Sequence, residues 1–493
     1  MLRLLLPTGC AIALAAAPAP ARAQNAFIAD LRGASENPPA ASPASGFALV
    51  LFDPAFETMT VRATFSGLTT PTTDSHIHCC APRTANAIVA VGFRPAGFPI
   101  GVTGGEFNAS FDLTSAATFN APFVAANGGT PASARTALIN GTLNELAYVN
   151  IHTSRFPGGE IRGQLVASSE LGPQAYSLLP EVALQTAEFQ DSTIRGYLHD
   201  LRSGRGGDDG RTATLGEGGR VGMFLTAAAR FGEFEGRANR PAVDLGATGV
   251  MGGLDVRLGP GTLVGVMAGL DSSDARLSPT SRESQVESWF GGLYGSLALG
   301  PAFVDLQASF GRSDHELFRR ITVGAFDAES AAEAEGEYWM LAGTAGLSLG
   351  RPGLEIEPYL GARYVDFELD GFAETGNMAA LTIGAAELES LQSIAGLRIG
   401  AEIPMGGASL RPSVRGEWRH EFSNDEARPI AGSFGGAGPF SFAAAPLGDD
   451  HLVVGAGFTV AGRGALSFAL DYSGQLGGGY DVHAVSAGLR LRF

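Results

Sequence analysis

Lysine is missing from this 493-residue chain: all 33 of its cationic side chains are arginine, against 50 aspartates and glutamates, for a formal net charge of −17. Binding nucleic acid requires a dense basic patch to neutralise phosphates, so this balance excludes it as a partner. The arginine-only usage reads as genome-level bias, because the physical reasons to prefer Arg over Lys are local to particular sites. Cysteine is scarce too, with only Cys10, Cys79 and Cys80. Beyond the N-terminus no stretch reaches the ~18 uninterrupted apolar residues a spanning helix needs, so any membrane crossing has to be a closed β-barrel. G-x-S-x-G, H-E-x-x-H, phosphate-loop and calcium-loop spacings are all lacking, which leaves enzyme activity without a motif to carry it. Disorder is excluded by an apolar fraction of 45%.

What the sequence does contain begins with an export signal. Arg3 precedes an apolar run over 4–18, and Ala21-Arg22-Ala23 supplies the small-x-small pattern ahead of a cut that leaves Gln24 first. Residues 1–23 are therefore expected to be a secretory signal peptide. Pro7 and the long apolar run beyond Cys10 disfavour a lipoprotein reading.

The far end is a strand. Val485, Ala487, Leu489, Leu491 and Phe493 alternate with Ser486, Gly488, Arg490 and Arg492, giving one apolar face and one charged face. Over 410–422 the same split sets Leu410, Val414 and Trp418 against Arg411, Arg415, Glu417 and Arg419. About twelve such segments fall between Arg220 and Phe493, many near the ~10 residues of a tilted membrane strand. Their connections alternate in length. Those at 233–243, 273–285, 315–334, 369–385 and 424–449 are long. Gly259-Pro260, Gly300-Pro301, Arg351-Pro352, Met405-Gly406 and Gly462-Arg463 mark tight turns. Long loops at one end and short turns at the other are the layout of an outer-membrane barrel, with Arg490, Arg492, Arg411, Arg415, Glu417 and Arg419 expected to face its lumen. The acidic stretch 330–337 is expected to be a solvated outer loop.

The terminal LRLRF, the RGEWRHEF run at 415–422 and this spacing resemble the β-domain of bacterial autotransporters, the type V secretion barrels. The resemblance covers about 270 residues, placed at 216–493. It implies insertion in outer-membrane lipid and recognition of the last strand, with Leu489, Leu491 and terminal Phe493, by the barrel assembly machinery. Ahead of it, 180–202 reads as a helix. Pro180 suits the first turn, Ile194, Leu198 and Leu201 share a face, and Gly204 suits a stop. Its length of about 35 Å matches the ~30 Å apolar thickness of a bilayer. Within the linker 168–215 it fits the pore-threading helix of that family, with Gln185, Glu188, Gln190, Asp191, Arg195 and Asp200 available to a charged lumen. Some members cut themselves there by asparagine cyclisation. The stretch 169–215 holds no Asn, so the N-terminal part is expected to stay attached.

That part, 24–167, is expected to be a small β-sandwich, from alternating strands such as 46–53 and 58–68 separated by Pro, Gly, Ser and Thr turns. The overall expectation is an all-β chain: N-terminal sandwich, short helical linker, C-terminal barrel of about twelve antiparallel strands. ASENPP at 34–39, FSGL at 65–68, HIH at 76–78 and YVNIHTSRFPGGEIRGQL at 148–165 resemble the CHRD domain, named from chordin. The resemblance implies little about activity.

His76 and His78 lie at i and i+2 on one strand face, and His152 sits in a segment that could lie alongside. Three imidazoles facing one point could hold Zn or Cu, with Glu160 or a cysteine completing the shell and Asp74, Asn150 or Thr153 orienting the rings. The competing reading has them hydrogen-bond across strands or hold the GGEIRG turn. Cys79 and Cys80 leave three states open: a vicinal disulfide, free thiols, or metal ligands. A vicinal bridge closes no bulky loop that would hinder passage through a narrow pore. Three functions follow as alternatives. The barrel displays a tethered CHRD passenger that binds a surface ligand; or the passenger is a metal enzyme using His76, His78 and His152; or the barrel is an anchor or porin with a periplasmic CHRD domain.

Overall fold

The computed structural model describes residues 26–53, 55–167, 176, 179–202, 220–235, 242–277, 284–323, 326–351, 353–423, 428–434, 439–444, 448–462 and 465–493. The expected signal peptide and Gly204 lie outside these residues.

The N-terminal domain is built from β1 (Ala26–Arg32), β2 (Ser45–Phe52), β3 (Thr58–Ser66), β4 (Thr72–Cys79), β5 (Ile88–Gly92), β6 (Gly105–Asp112), β7 (Tyr148–Thr153), β8 (Ile161–Gln164) and β9 (Val166–Ala167). Hydrogen bonds join them in the order β5-β4-β7-β8-β1-β2-β3-β6, with β9 beside β1. The two edges of this sheet meet. Phe93, just past β5, stacks on Phe107 of β6 with ring centroids 5.1 Å apart. The sandwich expected from alternation is thus one sheet wrapped round its own core of Phe27, Val50, Val61, Ile77 and Val149. Each such fully buried side chain contributes about 1.5–3 kcal/mol. Two helices, α1 (Ala121–Ala126) and α2 (Pro131–Leu143), cover part of it. Thr130 and Ser133 start α2 with a capping box, and its Ala134 and Leu138 are buried.

Twelve long antiparallel strands then close into a barrel: Val221–Phe234, Val243–Gly259, Thr262–Leu277, Ser284–Leu299, Ala302–Val323, Phe326–Leu347, Leu354–Leu369, Ala386–Ala401, Ala408–Glu421, Asp450–Gly462, Leu466–Gly477 and Tyr480–Arg492. Closure is made by the first and last, paired from Gly222↔Arg492 to Phe234↔Tyr480, which leaves no unpaired backbone edge. Outward side chains are apolar: Leu254, Leu270, Leu299, Leu306 and Leu360 are all exposed. The chain's three tryptophans, Trp289, Trp339 and Trp418, also face outward. Trp289 and Trp418 stand nearer the long-connection end of their strands, and Phe310 bridges Trp289 to Trp339 on the neighbouring strands. That is the position of an aromatic belt at a membrane interface.

One connection differs from expectation. Residues 315–334 are not a long loop, because strands Ala302–Val323 and Phe326–Leu347 continue as a paired ribbon to Val323↔Phe326. The acidic stretch 330–337 belongs to this ribbon: Glu333, Glu335 and Glu337 are exposed while Ala332 and Ala334 turn inward. Alternation of Glu with Ala is itself a period-two strand signal. At the same end Gly477, Gly478 and Gly479 all adopt positive φ, so the last hairpin turns tightly. Two further long connections pair with each other. Phe372–Ala373, Leu381–Ile383, Arg428–Phe434 and Pro439–Ala444 form a four-stranded sheet.

Candidate functional site

Helix α3 (Leu179–Arg202) fills the barrel. Its direction follows from its contacts. Val182 clusters with Phe234, Val243, Leu245, Val286 and Val482, all near the long-connection end. At the other end Arg202 binds Asp305 at 2.8 Å and Tyr197 binds Asp255, beside the tight turns. Between them the polar helix face meets the polar wall residue by residue. Arg419 holds Glu188 at 3.0 Å, Gln307 donates to Asp191, Arg195 pairs with Glu417 at 2.9 Å and His199 with Glu357 at 3.2 Å. Buried charges of this kind are tolerable only when paired and hydrogen-bonded, and here both partners are supplied. A polar cavity of about 70 Å³ is left on one side of the helix, between Ser192, Thr193 and Gly196 and the strands carrying Arg398, Arg415 and Asp471.

The expected lumen residues are placed as follows. Arg490 pairs with Asp200, and Arg419 with Glu188, both on α3. Arg415 and Glu417 lie 3.7 Å apart, Arg492 reaches Asp255 at 3.4 Å, and Arg411 pairs with Glu402 near the turn end. Leu489, Leu491 and Phe493 are exposed on the outer face.

The N-terminal domain sits on the long-connection end. Alternate residues of β1 and β2 serve two cores. Phe27, Ala29, Ala48 and Val50 point into the domain. Ala26, Ile28, Phe47, Leu49 and Leu51 join one apolar cluster with Tyr176, Phe372, Leu381, Ile383 and Phe434 of the barrel mouth. From β3, Arg62 donates to the Met378 carbonyl at 2.6 Å. A sequence signal for this contact existed: 46–52, GFALVLF, is apolar on both faces, as a strand buried on two sides must be.

The histidines lie on the β4–β7 pair, where His76 stands opposite Asn150, His78 opposite Tyr148 and Asp74 opposite His152. One nitrogen from each of His76, His78 and His152 falls within 4.8 Å of the others. Burial pushes His78 down to about 4, against the pull of the Ala87 carbonyl, and burial lowers His152 as well. Both rings are therefore neutral at physiological pH. Glu160 is not part of the group. Its carboxylate takes hydrogen bonds from Thr153, Ser42 and the Thr69 backbone at 2.6–2.7 Å. Burial alone would raise it, but these bonds outweigh burial and hold it below the usual carboxylate range. Thr153 is thus committed to Glu160 rather than to an imidazole. Cys79 and Cys80 form a disulfide with each other. Both sulfurs lie against Gly141 of α2, where a Cβ would collide with them.

A closed lipid-facing barrel, threaded by a helix that leads from a folded N-terminal domain, defines an outer-membrane translocator. The family model "Autotransporter beta-domain" matches residues 223–473, and "CHRD domain" matches 27–165. The chain belongs to the autotransporter family and carries a CHRD domain, and that family places its barrel in the outer membrane. Among solved structures, the chain is similar to the translocator domain of autotransporter NalP from Neisseria meningitidis. There the identity is 18%, the TM-score 0.49, and 64% of this chain and 98% of that one are covered. It is also similar to the transport unit of the autotransporter AIDA-I from Escherichia coli, with 13% identity, TM-score 0.38, and 60% and 96% covered. No curated protein sequence matches the chain.

Proposed function

We propose that this protein inserts its barrel in the outer membrane and holds its CHRD domain, uncleaved, at the cell surface as a tethered binding module. The observation that carries the reading is the polarity of α3. Its domain-proximal end lies among Val243, Val286 and Val482 at the long-connection end, the end that faces outward in barrels of this type. A domain attached there is outside the cell. The Arg62–Met378 contact and the shared apolar cluster keep it seated on the barrel mouth. Because α3 is ion-paired along both halves of its length, the lumen is occupied, which disfavours a porin. The stretch 169–215 contains no Asn, so no self-cleavage of that type releases the domain. Outward Leu489, Leu491 and Phe493 remain available to the assembly machinery as the last strand is recognised.

The test is protease shaving of intact cells, followed with an antibody to an epitope around residue 100. Loss of the epitope without permeabilisation supports display. An epitope that survives until the outer membrane is breached contradicts it.

A further inference from the structure

The three histidines of the N-terminal domain have no part in display, yet their surroundings are organised. In each ring one nitrogen is tied down. His78 Nδ1 lies 2.8 Å from the Ala87 carbonyl and His152 Nδ1 lies 2.8 Å from the Pro157 carbonyl. A carbonyl only accepts, so both Nδ1 atoms carry the proton and both Nε2 atoms present lone pairs. His76 is turned the other way. Its Nε2 faces Asp74 Oδ2 at 3.2 Å, an acceptor, which leaves Nδ1 as the lone-pair nitrogen. These three nitrogens converge: His76 Nδ1 and His152 Nε2 are 3.2 Å apart, and His152 Nε2 also lies 3.0 Å from the Asn150 side-chain amide, a contact that a bound ion would replace. His78 Nε2 is buried and makes no hydrogen bond of ordinary geometry, the Asn150 amide offering only a weak polar contact.

Lone pairs aimed at one another repel unless a cation stands between them. Imidazole nitrogens about 2.0–2.1 Å from a tetrahedral ion lie roughly 3.4 Å apart, so the 3.2 Å pair already has the required spacing. The remaining separations, at most 4.8 Å, close with small ring movements. Backbone carbonyls and a carboxylate on the opposite ring nitrogens are the outer partners that orient metal-bound histidines. Neither protein group suited to a fourth position is free, since Glu160 is held by Thr153, Ser42 and Thr69, and the cysteines are bonded to each other.

We propose that His76 Nδ1, His78 Nε2 and His152 Nε2 bind one late first-row transition-metal ion, copper or zinc, with the fourth position left to water or an external ligand. Three imidazoles and no thiolate suit these ions, and a three-ligand site with an open position is the pattern of a reactive rather than a purely structural centre. His76, whose side chain is 17% exposed, forms the solvent edge of the site, while His78 and His152 are buried.

The experiment uses the full chain in detergent, stripped with chelator, loaded separately with Cu(II) and Zn(II), desalted and measured for metal by mass spectrometry. One ion per chain is expected in at least one arm, and the two arms decide between copper and zinc. The double variant His76→Ala/His152→Ala should lose that ion, and Asp74→Asn should weaken binding about 10–100-fold. His199→Ala should leave uptake unchanged, because His199, Glu355 and Glu357 form the other cluster of ligand-type groups among the described residues. Wild type that takes up neither metal overturns the proposal. So does full uptake by the double variant. Where a variant fails to fold, electron paramagnetic resonance of the Cu(II)-loaded wild type decides: coupling to three imidazole nitrogens supports the site, and an oxygen-dominated spectrum overturns it.

Discussion

The N-terminal domain and the barrel are both antiparallel sheets written in period-two alternation, yet their apolar faces point in opposite directions. In the first, Phe27, Val61 and Ile77 are inside and fully buried. In the second, Leu270, Leu299 and Leu360 are outside, while Asp271, Glu417 and Arg419 are inside and buried. Alternation thus separates the two faces of a strand without saying which face meets solvent. What sets the direction in the barrel is the pairing of the charged face with α3. Strands β1 and β2 are the third case, apolar on both faces because they pack on both units.

That contrast can be broken at several points. The largest effect is expected inside the barrel. Glu188→Leu leaves Arg363 and Arg419 buried without their shared carboxylate, a loss of about 3–5 kcal/mol. A lowered guanidinium midpoint in lipid vesicles measures it. Reversing the outer face comes next. Leu270→Arg puts a charge where a 67% exposed leucine meets lipid, and costs about 2–4 kcal/mol near the bilayer midplane, read from the folding equilibrium in vesicles.

The N-terminal domain offers a pH-dependent test. Glu36 is 7% exposed, and burial pushes its carboxyl up to about 7, against Arg162 and the Asn37 backbone. A raised acid pKa means that the folded state disfavours the ionised form. Its cost is absent below the unfolded pKa of about 4.5 and grows as pH rises through 7. Glu36→Gln should therefore stabilise the domain by up to about 3 kcal/mol at pH 8 and by nothing at pH 4, checked by thermal unfolding at both. The smallest effect is at the contact between the two units. Arg62→Ala removes its hydrogen bond to Met378, worth about 1 kcal/mol, and should speed proteolysis between 168 and 178 without changing the barrel.

Much of this was legible in the sequence for physical reasons. Lipid outside and ions inside impose strict alternation over about ten residues per strand, and export topology sorts the connections by length. The helix was readable from Ile194, Leu198 and Leu201 on one face and an acidic and polar remainder. Other features were hidden. The ribbon beyond the membrane at 315–334 looks like a loop because its outer face is polar and charged, with Glu316, Arg320 and Thr322 before the turn and Asp327, Glu329 and Glu333 after it. Helix α2, PASARTALINGTL, shows so little amphipathic contrast that only its Thr130–Ser133 cap marks it. The four-stranded sheet at the mouth is made of short segments distant in sequence, 372–383 and 428–444, and local pattern cannot pair them. At the histidines the residue types were visible. The turning of His76 relative to His78 and His152 depends on Asp74, Ala87 and Pro157, which only the fold brings into place.

The orientation of the whole molecule is tested most directly by labelling intact cells with a membrane-impermeant thiol reagent. Ile100→Cys sits on the exposed surface of the N-terminal domain and Gly300→Cys on a tight turn at the opposite end of the barrel. Cys79 and Cys80 are joined to each other and do not react, and Cys10 falls in the expected signal peptide. Labelling at 100 and protection at 300 is the result expected here. Labelling at 300 with protection at 100 would contradict it.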